Sequence, residues 1–176
     1  MKNKRIMVIG LSVLVLIAVI IGIALAGGDQ QRPFKAKSFE WVTEEGFIEG
    51  TGCPVLTVFS EGSGNATPLG KFTVVRQHCF TPPDHPAFDP EVGPMHDGTY
   101  IITAANGDTI HGTYSGVLEP TEFGPEGPTK GIITSPTTID GGTGRFVNAQ
   151  GEYLTVGDYD LMADEGDFEM EGWISY

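Results

Sequence analysis

The sequence predicts an all-β protein, an eight-stranded antiparallel up-and-down β-barrel preceded by an N-terminal hydrophobic signal or anchor helix. Three observations carry this reading. After Ala26 the chain offers about eight runs rich in β-branched and aromatic residues, separated by Gly, Pro and Asn turns. No stretch of the same region shows a convincing helical period of apolar residues. A chain with so many strands would also expose pairing edges unless its sheet closed on itself.

Met1-Lys2-Asn3-Lys4-Arg5 is a basic head, and the run from Ile6 to Ala26 is uncharged and almost wholly apolar. Ala24-Leu25-Ala26 ahead of Gly27-Gly28 has the small-x-small form of a signal peptidase site. The run nevertheless exceeds the ~7–15-residue core of a signal peptide and reaches the ~20 residues that span a bilayer. Residues 1–26 are therefore a signal peptide or an N-terminal membrane anchor, and both readings stay open. In either case Lys2, Lys4 and Arg5 stay cytoplasmic and the rest is exported, so the protein is expected to be extracytoplasmic, secreted or held by that segment alone. No cysteine follows the run closely, which argues against lipoprotein processing. Residues 27–33 read as a tether and residues 34–176 as one barrel domain.

Three of the ten basic residues lie in the leader and all 23 acidic ones lie beyond it, leaving 7 against 23 and a net charge of −16. Such a surface repels nucleic acid and anionic lipid, which removes both as partners. It is either an ordinary soluble exported surface or an adaptation to salt or divalent cations.

In order, Phe34 to Val42 carries a period of two, and Cys53 to Phe59 reads as the next strand. Ser60 to Pro68, with two glycines and an asparagine, reads as a turn into the long strand Leu69 to Phe80. Thr81 to Asp97 holds five prolines, so no ladder is expected through it; it is a lid, a binding loop or a simple insertion. Thr99 to Ala104 and Thr109 to Leu118 flank Ala105-Asn106-Gly107-Asp108, a strong hairpin signal. A second Pro/Gly loop, Glu119 to Pro128, leads to a strand from Lys130 to Ile139, and a closing hairpin runs from Glu152 to Tyr176.

Between these last two lies Ile139-Asp140-Gly141-Gly142-Thr143-Gly144-Arg145-Phe146-Val147-Asn148-Ala149-Gln150-Gly151. Three glycines within four residues demand backbone that a Cβ would obstruct, so Gly141, Gly142, Thr143, Gly144, Phe146 and Gly151 are assigned to a sheet corner. The pattern Gly-Gly-Thr-Gly-x-Phe-x-x-Ala-x-Gly resembles the motif of the allene oxide cyclase and dirigent-like barrels, which include many secreted bacterial proteins. The resemblance implies an eight-stranded barrel with a small lumen. It fixes no single chemistry, because that fold hosts a cyclase of an unsaturated epoxide as well as proteins that steer radical coupling. Neither group's lumen residues can be matched here.

Cys53 and Cys79 form an even pair in the exported region and are expected to be bonded, which would add ~3 kcal/mol through the unfolded state; the alternative is two buried thiols. No Cys-x-x-Cys or His-x-x-x-His spacing occurs, so no metal is expected, and nothing calls for a cofactor. No Gly-x-Ser-x-Gly occurs, and Asp140 to Gly144 lacks the Lys-Ser/Thr of a phosphate loop.

Of four histidines, His85 and His96 fall in the proline loop and read as solvated, while His78 and His111 lie on strands. His111 shares a face with Thr109, Thr113 and Ser115. Ile110, Tyr114 and Leu118 point the other way. His111 is a wet-face residue, unless that face lines the lumen, when it becomes a candidate acid/base or ligand-orienting group; His78 is a second acid/base candidate, and Tyr100, His111 and Tyr114 are candidate ligand contacts. In the closing hairpin a two-residue turn at Asp164-Glu165 sets Tyr159 against Met170 and Leu161 against Phe168. It also sets Asp158 against Glu171 and Asp160 against Glu169, an acidic ladder that would attract hard cations.

Three functions follow: a non-catalytic barrel holding a small apolar molecule, an isomerase or cyclase of the allene oxide cyclase type, or a structural envelope module with a filled barrel.

Overall fold

The computed structural model describes residues 30–89 and 93–176. The expected leader, residues 1–26, lies outside the described residues. Long strands β1 (Arg32–Gly46), β2 (Leu56–Thr67), β3 (Gly70–Phe80), β4 (Met95–Ala104), β5 (Thr109–Gly124) and β6 (Gly127–Ile139) are followed by a two-residue strand β7 (Gly141–Gly142). A 3-10 turn at Gly144–Phe146 then leads to β8 (Gln150–Asp160) and β9 (Glu165–Ser175). Every long strand pairs antiparallel with its neighbours in the chain, β7 aside, and β1 pairs with β9. The sheet is thus a closed eight-stranded up-and-down barrel.

Strict alternation sorts the side chains. On β1, Phe34, Ala36, Ser38 and Glu40 are buried inside while Lys35, Lys37, Phe39 and Trp41 face out. The lumen has two unlike halves. At the end carrying the β2–β3 and β4–β5 turns and the glycine corner, Phe34, Ile102, Ile110, Phe146 and Ile174 are all 0% exposed and pack into one core. At the other end, under the long β1–β2 and β3–β4 connections, the lumen is not filled.

The glycine corner closes the filled end. Gly141 and Gly142 pair with His111 and Ile110 of β5, and Thr143 Oγ1 accepts from the Thr109 amide at 3.0 Å. Gly144 has φ +59, the left-handed conformation expected of this corner. Gly142 has a different reason to be glycine: a Cβ there would lie 2.0 Å from the Thr109 carbonyl oxygen. The turn drops Phe146 into the core, against Tyr176 with ring centroids 4.8 Å apart.

The structure corrects several expectations. Ser60 to Thr67 continues β2, while Cys53 to Val55 precede it. The glycines there mark close packing inside a strand rather than a turn, since a Cβ on Gly62 would meet Glu40 Cγ at 2.5 Å. Glu119 to Pro128 is no loop: β5 and β6 extend as a hairpin to Gly124 and Gly127, with register irregularities beside Pro120 where the missing N–H is tolerated. Strand β4 begins at Met95, so His96 is a strand residue and only partly exposed.

The closing hairpin has another register. Tyr159 faces Gly166, Asp158 faces Asp167 and Asp160 faces Glu165. Asp160 Oδ1 accepts from the amides of Met162 at 2.9 Å and Ala163 at 3.1 Å, which starts the turn at Asp160, earlier than expected. The shift is even, so the faces are kept: Phe168 and Met170 are buried and Asp158, Glu169 and Glu171 exposed. Glu169 and Glu171 are paired with Lys37 and Lys35 of β1, not left as a repelling ladder.

Cys53 and Cys79 are disulfide-bonded, Cα atoms 5.2 Å apart, tying the β1–β2 connection to the end of β3. Among the described residues no helix is long and apolar enough to cross a membrane.

Candidate functional site

The two halves of the lumen are separated by a buried ion pair. Alternation from Phe34 puts Glu40 inside, and alternation from Phe72 does the same for Arg76. Their side chains, each 7% exposed, meet with Arg76 Nε 2.8 Å from Glu40 Oε2 and Nη2 3.3 Å from Oε1. Ser38 Oγ donates to Glu40 Oε1 at 2.7 Å, adding a third bond to the carboxylate. Burial opposes the guanidinium charge, but Glu40 foremost and the surrounding phenols more than restore it, so Arg76 is held charged.

Tyrosines surround the cation. The Arg76 guanidinium carbon lies 5.5 Å from the Tyr100 ring centroid and 5.3 Å from that of Tyr114. Burial raises the Tyr100, Tyr114 and Tyr153 phenols above their usual range, so all stay protonated. Tyr100 donates to the Thr138 carbonyl at 2.7 Å. The Tyr153 hydroxyl, with Arg76 and Tyr100 around it, makes no hydrogen bond of ordinary geometry.

His78 stands one inward position further along β3, its Nδ1 2.9 Å from the Tyr114 hydroxyl. Burial first, then the Arg76 charge and His96, push its imidazole down to about 4, so it is neutral at pH 7.

Above this layer lies a cavity of about 200 Å³. Its walls are apolar, with Val58, Phe80, Met95, Leu118, Ile133 and Phe168 among them, and its polar floor includes Glu40, Arg76, His78 and Tyr114. Glu45 and Asp164, at the end of β1 and in the turn between β8 and β9, also line it. Thr155 lines the cavity as well; the residue is 4% exposed and its hydroxyl has no hydrogen-bond partner. A cavity with apolar walls and a few placed polar groups is the usual form of a small-molecule site.

The sequence candidates divide accordingly. His78 and Tyr114 line the cavity and Tyr100 lies in the layer below it. His111 is exposed on the outer face, because Ile110, Gly112 and Tyr114 take the inward positions of β5; it is not a lumen group. Among the described residues the group with metal-ligand spacing is Cys79, His96 and Asp97, and not Asp158, Asp160, Glu169 and Glu171. Cys79 is spent in the disulfide, and His96 bonds Thr81 Oγ1 at 3.1 Å and Asp97 Oδ2 at 2.9 Å, so the set offers too few free ligands.

Sequence reading passed over Glu40, Arg76 and Thr155. For the first two a signal was present, a charged residue in phase with the buried face of its strand: Glu40 with Phe34 and Ala36, Arg76 with Phe72 and Val74. Thr155 carries no such mark. A scan against protein-family models finds no match to this chain, and comparison with curated proteins and with solved structures finds none either.

Proposed function

We propose that this chain is an exported barrel, related to the allene oxide cyclase and dirigent-like proteins, that binds a small and mainly apolar molecule in the open half of its lumen. The observation that carries the reading is the cavity of about 200 Å³ between an apolar wall and the Glu40–Arg76 floor. For scale, an apolar cavity of ~150 Å³ accommodates benzene. The Cys53–Cys79 bond fits an oxidising, extracytoplasmic compartment.

Isomerisation or cyclisation is the second reading, favoured by a neutral imidazole beside the cavity. It ranks lower on the same residues. A base works best with a pKa near the operating pH, and His78 at about 4 is a weak one. The Glu40 carboxylate is already engaged by Arg76 and Ser38.

The test is saturable binding of the neutral dye N-phenyl-1-naphthylamine to the intact chain. Dye fluorescence is expected to rise and saturate at one site, and Leu118→Trp, which fills the cavity, is expected to weaken binding about tenfold or more. Absence of saturable binding, or binding unaffected by Leu118→Trp, would overturn the reading.

A further inference from the structure

The charge balance around the cavity bears on the polar end of such a ligand. Inside, one carboxylate and one guanidinium neutralise each other through two hydrogen bonds, and the remaining polar groups are neutral: His78, the phenol of Tyr114, and hydroxyls. The lumen's guanidinium is already paired, so no uncompensated positive charge waits there for an anion. A ligand carboxylate would have to compete with Glu40 for Arg76, leaving two buried anions around one cation. It would lose its hydration without gaining a counter-ion of its own. The mouth adds a second filter, because Glu45 and Asp164 line it and repel anions.

One residue of the cavity wall does carry a hydroxyl without a partner. The Thr155 hydroxyl is buried and unbonded, and a hydroxyl both donates and accepts. A buried polar group left unpaired is costly, and a ligand that pairs with it removes that cost. Resting on the lumen-binding reading, we propose that the ligand carries an uncharged oxygen group, an alcohol, ketone or ether, placed against Thr155, and that the lumen discriminates against carboxylates of the same size. Thr155 then sets specificity for the polar end, while the apolar wall supplies most of the affinity.

The experiment is calorimetric titration of the full chain with 1-octanol, 2-octanone and octanoate, with ethylbenzene as the probe that has no polar group. Octanol and octanone are expected to bind at least about tenfold tighter than octanoate. Thr155→Val, which keeps the shape and removes the hydroxyl, is expected to weaken octanol about five- to tenfold and leave ethylbenzene unchanged. Octanoate binding as well as octanol would overturn the inference while leaving the lumen site standing. Equal effects of Thr155→Val on octanol and ethylbenzene would remove Thr155 from its assigned role. If none of the four binds, the lumen-binding reading itself falls. The wild-type series decides the charge rule even if the variant folds poorly.

Discussion

The two ends of this barrel solve the problem of a small β-lumen in opposite ways. At the corner end, aromatic and branched side chains reach zero exposure and a glycine turn inserts Phe146 as a plug. At the loop end the inward positions carry Ser60, His78, Ser135 and Thr155 among the apolar residues, and a cavity remains. Between them, the Arg76–Glu40 pair and its tyrosines form a floor. The difference teaches that one half supplies packing for stability, while the other keeps an unfilled volume and an unpaired hydroxyl.

The sharpest way to break this division is to cut the floor. Glu40→Gln leaves Arg76 buried without its counter-charge and is expected to cost about 3–5 kcal/mol in denaturant unfolding. Replacing both partners, Glu40→Leu with Arg76→Met, is expected to cost much less. Equal losses in the single and double variants would show that the pair is not a mutually compensating unit.

Next comes the plug. Gly142→Ala places a methyl against the Thr109 carbonyl and should cost about 3 kcal/mol. Gly144→Ala, at φ +59 and with the Asp108 carboxylate as its nearest neighbour, should cost about 1–2 kcal/mol. Thermal melts check both, and unchanged melting of either would show that its assigned constraint is wrong.

The open half should announce itself through pH. The folded His78 pKa of about 4 lies below the ordinary 6.5, so the unfolded chain takes up the proton first. Stability is therefore full above 6.5 and lost as pH falls toward 4, by about 2 kcal/mol at pH 5. His78→Gln should remove this part of the acid loss; denaturant midpoints at pH 7 and pH 5 for both proteins give the comparison. An identical loss in the variant would show that His78 is not buried in its neutral form.

The smallest effect lies outside the barrel. Glu169 has Lys37 and Asp160 caps its turn, so Glu169→Gln and Asp160→Asn should each lower the melting temperature slightly in low salt. A rise would restore the repelling acidic ladder that the sequence alone suggested.

Much of the scaffold was legible in the sequence because its signals are local. Asn106-Gly107 marks a hairpin, and three clustered glycines mark the corner. The misread stretches are those where a local signal has a tertiary cause: Gly62 is glycine because Glu40 needs its space, and Pro120 sits at a bulge rather than in a loop. The disulfide could be expected from an even pair of cysteines beyond a segment that reads as an export signal. The site was harder to see. Strand phase puts Glu40 and Arg76 inward but does not pair residues 36 positions apart, and whether inward side chains fill a lumen depends on volumes summed over eight strands. Thr155 becomes notable only once its neighbours are known to leave it unpaired.

The measurement that bears most directly on the division of the barrel is intermolecular NOE spectroscopy on the methyl-labelled chain with ethylbenzene. Cross-peaks are expected to the methyls of Met95, Leu118 and Ile133, which line the cavity, and none to Ile102, Ile110 or Ile174 in the filled end. Contacts to the filled-end methyls, or a saturating ligand with no contact to either set, would contradict it.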